Sequence, residues 1–306
     1  MKDKSALVTG ATGFIGSHIV EDLKVPLALD NSSTSNKYSR DFLANSPAKI
    51  FKGDICDQKV LRDALDGVFT VYHQAAISSV ARSIIDPLET NRSNVVGTLA
   101  LLKACVECGV KNVVFASSSA VYGDCRSLPI KETAQFLPKS PYAVSKIACE
   151  YYANVFNELY GLNCAALRYF NVFGPRQNPK SEYAAVVPKF IKAALSNKPI
   201  TIYGDGKQTR DFIYVKDVVS ANKGAIGKNG AYNIASGQQT TISGLIDAII
   251  ALTDSKSKLT YQSMRSGDIQ HSLADISKAK KELSWKLKYP LEKALKLTID
   301  WYSAIL

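Results

Sequence analysis

Thr9-Gly10-Ala11-Thr12-Gly13-Phe14-Ile15-Gly16 follows the apolar run Ala6-Leu7-Val8 and opens an amphipathic stretch from Phe14 to Leu23. The order this predicts is strand, turn, helix. Glycines so spaced allow a tight turn, let backbone approach a pyrophosphate, and leave that phosphate facing the partly positive helix N-terminus. Asp30 closes the next apolar run, Pro26-Leu27-Ala28-Leu29, roughly 20 residues beyond Gly10, where a ribose-binding acid is expected. A carboxylate there accepts hydrogen bonds from both adenosine hydroxyls and repels a 2′-phosphate, so NAD is favoured over NADP, although Asn31 to Thr34 carry no charge. The glycines alone would suit a turn that binds nothing; strand, helix and acid in register favour the ligand. The connection Glu21-Asp22-Leu23-Lys24-Val25-Pro26 is short. The helix should end early and the next strand start at or after Pro26, which has no N–H for the ladder.

Outward from this turn, strands alternate with helices to about Arg168, which predicts an α/β fold with a parallel, doubly wound sheet. With 306 residues, 46% of them hydrophobic, the chain can bury a large core as one or two domains. Pro175, Pro179, Pro188 and Pro199 then mark a change to mixed short strands and helices. The division expected is a dinucleotide-binding domain over 1–174 and a smaller mixed α/β lid over 175–306.

Two further stretches carry chemistry. In Phe115-Ala116-Ser117-Ser118-Ser119-Ala120-Val121-Tyr122-Gly123, a strand over 112–116 runs into hydroxyls. In an open parallel sheet, ligands sit outside the carboxyl ends of the strands, which puts these serines beside a nicotinamide. In Ser140-Pro141-Tyr142-Ala143-Val144-Ser145-Lys146, four residues of helix put a phenol and an ammonium on one face. A tyrosine titrates near ~10 in water, so it takes a proton at neutral pH only where positive charge favours the phenolate. Lys146 would supply that charge. Either stretch alone reads as a solvated loop or an amphipathic helix with a snorkelling lysine; with the glycine turn they read as a catalytic triad of a serine from this run, Tyr142 and Lys146, and the resemblance set out below singles out Ser118.

Composition excludes several alternatives. The N-terminal Met1-Lys2-Asp3-Lys4-Ser5 leads into only a brief apolar run, neither signal peptide nor anchor, and no segment spans a membrane. Cys56, Cys105, Cys108, Cys125, Cys149 and Cys164 show no disulfide rhythm, so reduced thiols and a cytoplasmic location are expected. Cys105-x-x-Cys108 lacks a second pair, and with only three histidines no metal site is predicted. The net charge of +11 suits capture of an anionic substrate. Lysines spread singly, or on amphipathic C-terminal helices, do not make a nucleic-acid surface.

The chain resembles the extended short-chain dehydrogenase/reductases, and within them the nucleotide-sugar 4-epimerases of the UDP-glucose 4-epimerase family. The resemblance is carried by Gly53-Asp54-Ile55, His73-Gln74-Ala75-Ala76, Asn94-Val95-Val96-Gly97-Thr98, Leu167 to Arg176, Tyr203-Gly204-Asp205-Gly206, Thr209-Arg210-Asp211-Phe212 and Arg265-Ser266-Gly267-Asp268. Tyr183 to Lys189 and Asp268-Ile269-Gln270-His271-Ser272 look most like the bacterial UDP-N-acetylglucosamine 4-epimerases. This implies a Rossmann sheet into which later segments thread back, with NAD as cofactor and a UDP-sugar as substrate. It assigns the pyrophosphate turn to Gly10, Gly13, Phe14, Ile15 and Gly16, and the adenosine to Asp30, Asn31, Ser33, Asp54 and Ile55. Gln74, Ala75, Ala76 and Asn94 would position the cofactor, with Ser117, Tyr142, Lys146, Tyr169 and Val172 on its nicotinamide side. Arg210 and Arg265 match diphosphate clamps, suited by the planar guanidinium fork, and Asn171 would assist them. Val187 and Tyr203 would border the uracil, Asp268 would take the ribose hydroxyls, and Ser79, Val80, Ser118, Ser119 and Ser272 would face the sugar. Each has a plainer alternative, such as surface pairing of Arg210 with Asp211 or turn chemistry at Asp268.

The activity implied is reversible 4-epimerisation. Tyr142 removes the proton of the 4-hydroxyl while C4 gives hydride to NAD; the 4-keto sugar turns, and hydride returns to its other face. Family dehydratases and decarboxylases carry carboxylates just beyond the catalytic hydroxyl, where this chain has Ser119 and Ala120. Those activities stay as alternatives, as does a catalytically silent nucleotide sensor. Ser272 matches a position where narrow 4-epimerases place a tyrosine, so UDP-GlcNAc and UDP-GalNAc are expected substrates, with some activity on UDP-Glc and UDP-Gal. Apolar helix faces at 94–108 and 142–160 would pair across a twofold axis as the family's homodimer.

Overall fold

A computed structural model describes residues 5–179, 185–263 and 269–306. The large sheet contains β1 (Ser5–Thr9), β2 (Leu27–Asp30), β3 (Lys49–Lys52), β4 (Val68–His73), β5 (Asn112–Ser118) and β6 (Asn163–Tyr169). The strands β7 (Asn171–Phe173), β8 (Ile200–Tyr203), β9 (Thr209–Arg210), β10 (Phe212–Tyr214), β11 (Gly230–Ile234), β12 (Thr240–Thr241) and β13 (Leu259–Gln262) follow. The helices are α1 (Phe14–Leu23), α2 (Lys37–Ala44), α3 (Gln58–Leu65), α4 (Val80–Ile85), α5 (Pro87–Asn91), α6 (Gly97–Glu107) and α7 (Pro141–Tyr160). After them come α8 (Val186–Leu195), α9 (Val215–Gly224), α10 (Ile242–Thr253), α11 (Ser277–Glu282) and α12 (Leu291–Ser303).

The sheet is parallel and doubly wound, in the order β11-β6-β5-β4-β1-β2-β3. Its central strands read as unbroken apolar runs because helices cover both faces: Leu7 and Val8 of β1 are both fully buried, pointing to opposite sides. One face packs on α1 and α9 through Ile19, Val218 and Val219; the other packs on α3, α6 and α7 through Leu61, Leu101 and Phe156. Strand order reverses between β1 and β4, and this switch point opens the crevice where such sheets hold ligands. The edge strand β11 comes from beyond residue 174, so the sheet draws on both halves of the sequence.

A third core is built from α8, α10, α12 and β8, with the small sheets β7–β10, β9–β12 and β8–β13, almost all of it in the stretch expected as the lid. The short connection behaves as the sequence predicts. α1 stops at Leu23, Lys24 turns the chain in the left-handed region, and β2 starts at Leu27, just after Pro26. α7 begins with Pro141 in its first turn, capped by Ser140, whose hydroxyl accepts from Ala143 N–H, and ends at Gly161 with φ +65°. No described helix is long and apolar enough to cross a membrane.

Candidate active site

A cleft of about 470 Å3 runs across the carboxyl ends of the large sheet, from Gly10, Asp30 and Gly53 to Ser118 and Tyr169. Its floor depends on missing side chains. Gly10 has φ +69°, and a Cβ there would come within 2.5 Å of Ala75 N; a Cβ on Gly16 would run into the Gly10 carbonyl oxygen. α1 starts at Gly13 without a side-chain cap, so its first N–H groups, with the positive end of the helix dipole, are left to the cleft. The Thr12 hydroxyl in the same turn is buried without a partner. A glycine cradle, an uncapped helix start and a carboxylate at the end of β2 together fit the pyrophosphate and adenosine ribose of NAD.

The Asp30 carboxylate accepts from Thr12 N at 2.9 Å and Ser32 N at 2.5 Å, tying β2 to the glycine turn. Asp54 accepts from Cys56 N at 2.8 Å and from Arg92 at 3.0 Å. Partial burial pushes its carboxyl up, but those donors prevail and hold it below the usual range. Beneath the cleft, His73 is enclosed between Thr9 (Nδ1 to Oγ1, 2.7 Å) and Thr98 (Nε2 to Oγ1, 2.9 Å). Burial, helped by the charge of Lys146, lowers its pKa to about 3, so it is neutral.

Tyr142 and Lys146 both line the cleft from the start of α7, and the Lys146 ammonium lies 5.7 Å from the Tyr142 ring centre. Three contacts fix this end of the helix: Tyr142 N–H donates to Ser83 Oγ at 3.1 Å, Ser145 Oγ to the Tyr142 carbonyl at 2.7 Å, and Asn94 Nδ2 to Ser145 Oγ at 3.0 Å. Ser118 ends β5 and accepts from Ala120 N at 3.1 Å, leaving its hydroxyl proton to donate into the cleft. Ser117, also on the lining, donates to the buried Glu150, which is locked to Arg168 at 2.6 Å.

The structure brings most sequence-predicted residues to this one cleft: Phe14, Ile15, Asn31, Ser33, Ile55, Gln74, Ala75, Ala76 and Val172 line it together with those above. Asn94 does not. Its amide is buried against the Ile77 backbone and Ser145, so it braces the wall. Ser79 instead caps α4, accepting from Arg82 N, while Val80 is largely exposed and Ser119 lies in the helical turn after Ser118. Val187 is packed in the lid core, 1% exposed, which leaves its side chain no face for a uracil. Asn171, Tyr203, Arg210 and Ser272 sit on or beside lid strands β7, β8 and β9, Asn171 between the cleft residues Phe170 and Val172. Arg265 and Asp268 lie outside the described residues.

Sequence reasoning passed over Asn36, Ser78, Ser93 and Gln177, which also line the cleft. Asn36 had a signal, as a cap residue before the α2 pattern: its side chain accepts from Ser39 N and donates to the Arg176 carbonyl at 2.9 Å. Nothing local marks the other three.

Residues 6–235 match the NAD-dependent epimerase/dehydratase family. The sequence is 35% identical over 311 residues to the UDP-glucose 4-epimerase of Mycolicibacterium smegmatis, covering 97% of each chain. Among solved structures, the UDP-N-acetylglucosamine 4-epimerase of Methanobrevibacter ruminantium, in complex with UDP-N-acetylmuramic acid, superposes with a TM-score of 0.95 at 44% identity over 100% of both chains. The UDP-glucose 4-epimerase of Thermotoga maritima with UDP-glucose gives a TM-score of 0.93 at 36% identity, covering 98% of this chain and 99% of that one.

Proposed function

Because this chain belongs to the NAD-dependent epimerase/dehydratase family and acts as an NAD-dependent UDP-sugar 4-epimerase, we propose that it interconverts UDP-GlcNAc and UDP-GalNAc, with UDP-Glc and UDP-Gal as slower substrates. The observation that carries the chemistry is the convergence of Tyr142, Lys146 and Ser118 on the cleft that holds the glycine turn. When bound, NAD supplies a reversible hydride acceptor at the sugar's C4. Tyr142 takes the proton from the 4-hydroxyl and later returns it, Lys146 places a positive charge beside that transfer, and Ser118 donates a hydrogen bond to the same sugar oxygen. Arg210, with Arg265, clamps the diphosphate so that the 4-keto sugar turns about a fixed point.

Preference for the acetylated pair rests on the small side chain of Ser272, which is buried beside the cleft rather than on its lining, at the position where a tyrosine would narrow the site. The Methanobrevibacter ruminantium structure, named for UDP-GlcNAc and holding another N-acetylated UDP-sugar, supports it. The two UDP-glucose 4-epimerases favour the slower activity as a second reading. The six unpaired cysteines support work in the cytoplasm, and the exposed apolar faces of α4, α5 and α7 support a homodimer.

The test is to incubate purified protein with UDP-GlcNAc, adding no cofactor, and to follow UDP-GalNAc by NMR. Product is expected, because NAD stays in place through the cycle. Ser272→Tyr should remove the acetylated reaction and spare the UDP-Glc/UDP-Gal one. A variant still turning over UDP-GlcNAc at the normal rate would refute the gate.

A further inference from the structure

Asp211 stands between Arg210 and Phe212, and it is completely buried. Its carboxylate makes no surface pair with Arg210. Oδ1 accepts from Ser236 N and Ser236 Oγ, both at 2.7 Å; Oδ2 accepts from Gly237 N at 3.0 Å and Ala274 N at 3.2 Å. Its carbonyl oxygen accepts from Asn171 N at 3.0 Å.

These bonds join three segments that are distant in sequence. Ser236 follows the end of the edge strand β11, so one arm reaches the large sheet. Ala274 lies two residues beyond Ser272, in a stretch held on its other side by Ile130, whose N–H donates to the Leu273 carbonyl at 2.8 Å and whose carbonyl accepts from Asp275 N at 2.8 Å. Thr209, just before Arg210, closes the knot: its N–H donates to the Gln270 carbonyl at 2.9 Å, and its hydroxyl meets His271 Nδ1 at 3.1 Å.

We propose that Asp211 is the positioning residue of the substrate half of the cleft, holding Asn171, Arg210 and the Ser272 segment in one arrangement around the UDP-sugar. The proposal rests on the substrate reading given above. An ionised carboxylate suits the task because it accepts at both oxygens, whereas the amide of an asparagine would turn an NH2 group against backbone N–H donors. None of the knot's bonds given above is made to the glycine turn, Tyr142 or Lys146, and it meets the cofactor side only through Asn171 beside Val172, so its influence falls on the nucleotide-sugar more than on the dinucleotide.

The experiment compares wild type, Asp211→Asn and Ser236→Ala, each purified with its bound NAD. Asp211→Asn is expected to raise KM for UDP-GlcNAc at least tenfold and to weaken binding of UDP, measured by calorimetry, by a similar factor. The NAD content per chain stays at the wild-type value and kcat falls less than threefold. Ser236→Ala, which removes one donor only, moves KM and UDP affinity the same way by a smaller factor. A parallel fall in kcat and NAD content, or an unchanged UDP affinity, would overturn the proposal. Should Asp211→Asn fail to fold, an unchanged UDP affinity in Ser236→Ala overturns it alone. Wild-type protein that binds UDP but leaves UDP-GlcNAc unchanged would instead refute the substrate reading, and the UDP titrations still decide the role of Asp211.

Discussion

His73 shows how one side chain under the cleft sets a pH limit on the whole protein. Its ring is fixed by Thr9 and Thr98, and burial with the Lys146 charge brings its pKa down to about 3 from the 6.5 of an exposed histidine. The unfolded chain therefore takes up a proton through pH 6.5 that the folded chain refuses until about pH 3. Stability from this group is complete above pH 6.5 and is lost as pH falls through that window, by roughly 2–3 kcal/mol at pH 4.5. His18, bonded through Nε2 to the Pro175 carbonyl and likewise lowered to about 3 by burial and Arg176, adds a second loss over the same range. Replacing His73 by glutamine, which stays neutral, should flatten the dependence of urea-unfolding free energy on pH between 6.5 and 4.5 by about 2–3 kcal/mol. Parallel curves for wild type and variant would show that the imidazole is not held neutral. The histidine is visible in the sequence beside Gln74-Ala75-Ala76, but its state is not, because the threonines that enclose it come from residues 9 and 98.

Among the elements, α7 was legible in part. Tyr142 and Lys146 follow from spacing, and Pro141, Ser140 and Gly161 mark the ends, because helix contacts and caps are local. Not legible was Glu150, one turn further along, which pairs with Arg168 of β6 across 18 residues and also receives the Ser117 hydroxyl of β5. A charge on a helix reads as solvated face until a partner strand is placed beside it, and here both partners are buried, 5% and 4% exposed. The same neighbour explains β5: the sequence suggests a strand over 112–116, but pairing of Ser117 with Arg168 and Ser118 with Tyr169 carries the ladder two residues on. Glu150→Gln leaves the guanidinium buried without its counter-charge, and about 3–5 kcal/mol of stability should be lost in denaturant unfolding. The double variant Glu150→Leu with Arg168→Met should recover most of that. A single variant within about 1 kcal/mol of wild type would mean the pair contributes little.

For the whole molecule, the parallel, doubly wound sheet followed from the alternation of strands and helices, whereas the strand order with its switch point and the return of β11 to the sheet edge, paired across more than 60 residues, leave no local mark. What the fold leaves uncovered is more telling. Along α7, Val144, Tyr151, Val155 and Leu159 form an exposed apolar stripe at helical spacing, beside Ile84 and Ile85 of α4 and Leu88 of α5, which pack on the same helix. Leu88 is 82% exposed, Ile85 72% and Leu159 69%, an apolar surface of the kind that marks a protein–protein interface. The homodimer proposed above would cover this face with a second copy of the chain, α7 meeting its mate across a twofold axis. Wild-type protein should then scatter light as twice the 33.3 kDa chain. Val155→Glu with Leu159→Glu, placing like charges on both sides of the axis, should give single chains at micromolar concentration. Because α7 also carries Tyr142 and Lys146, those single chains should melt earlier and lose NAD on dilution. Wild type at the mass of one chain, or a double variant that remains paired, would place the contact elsewhere.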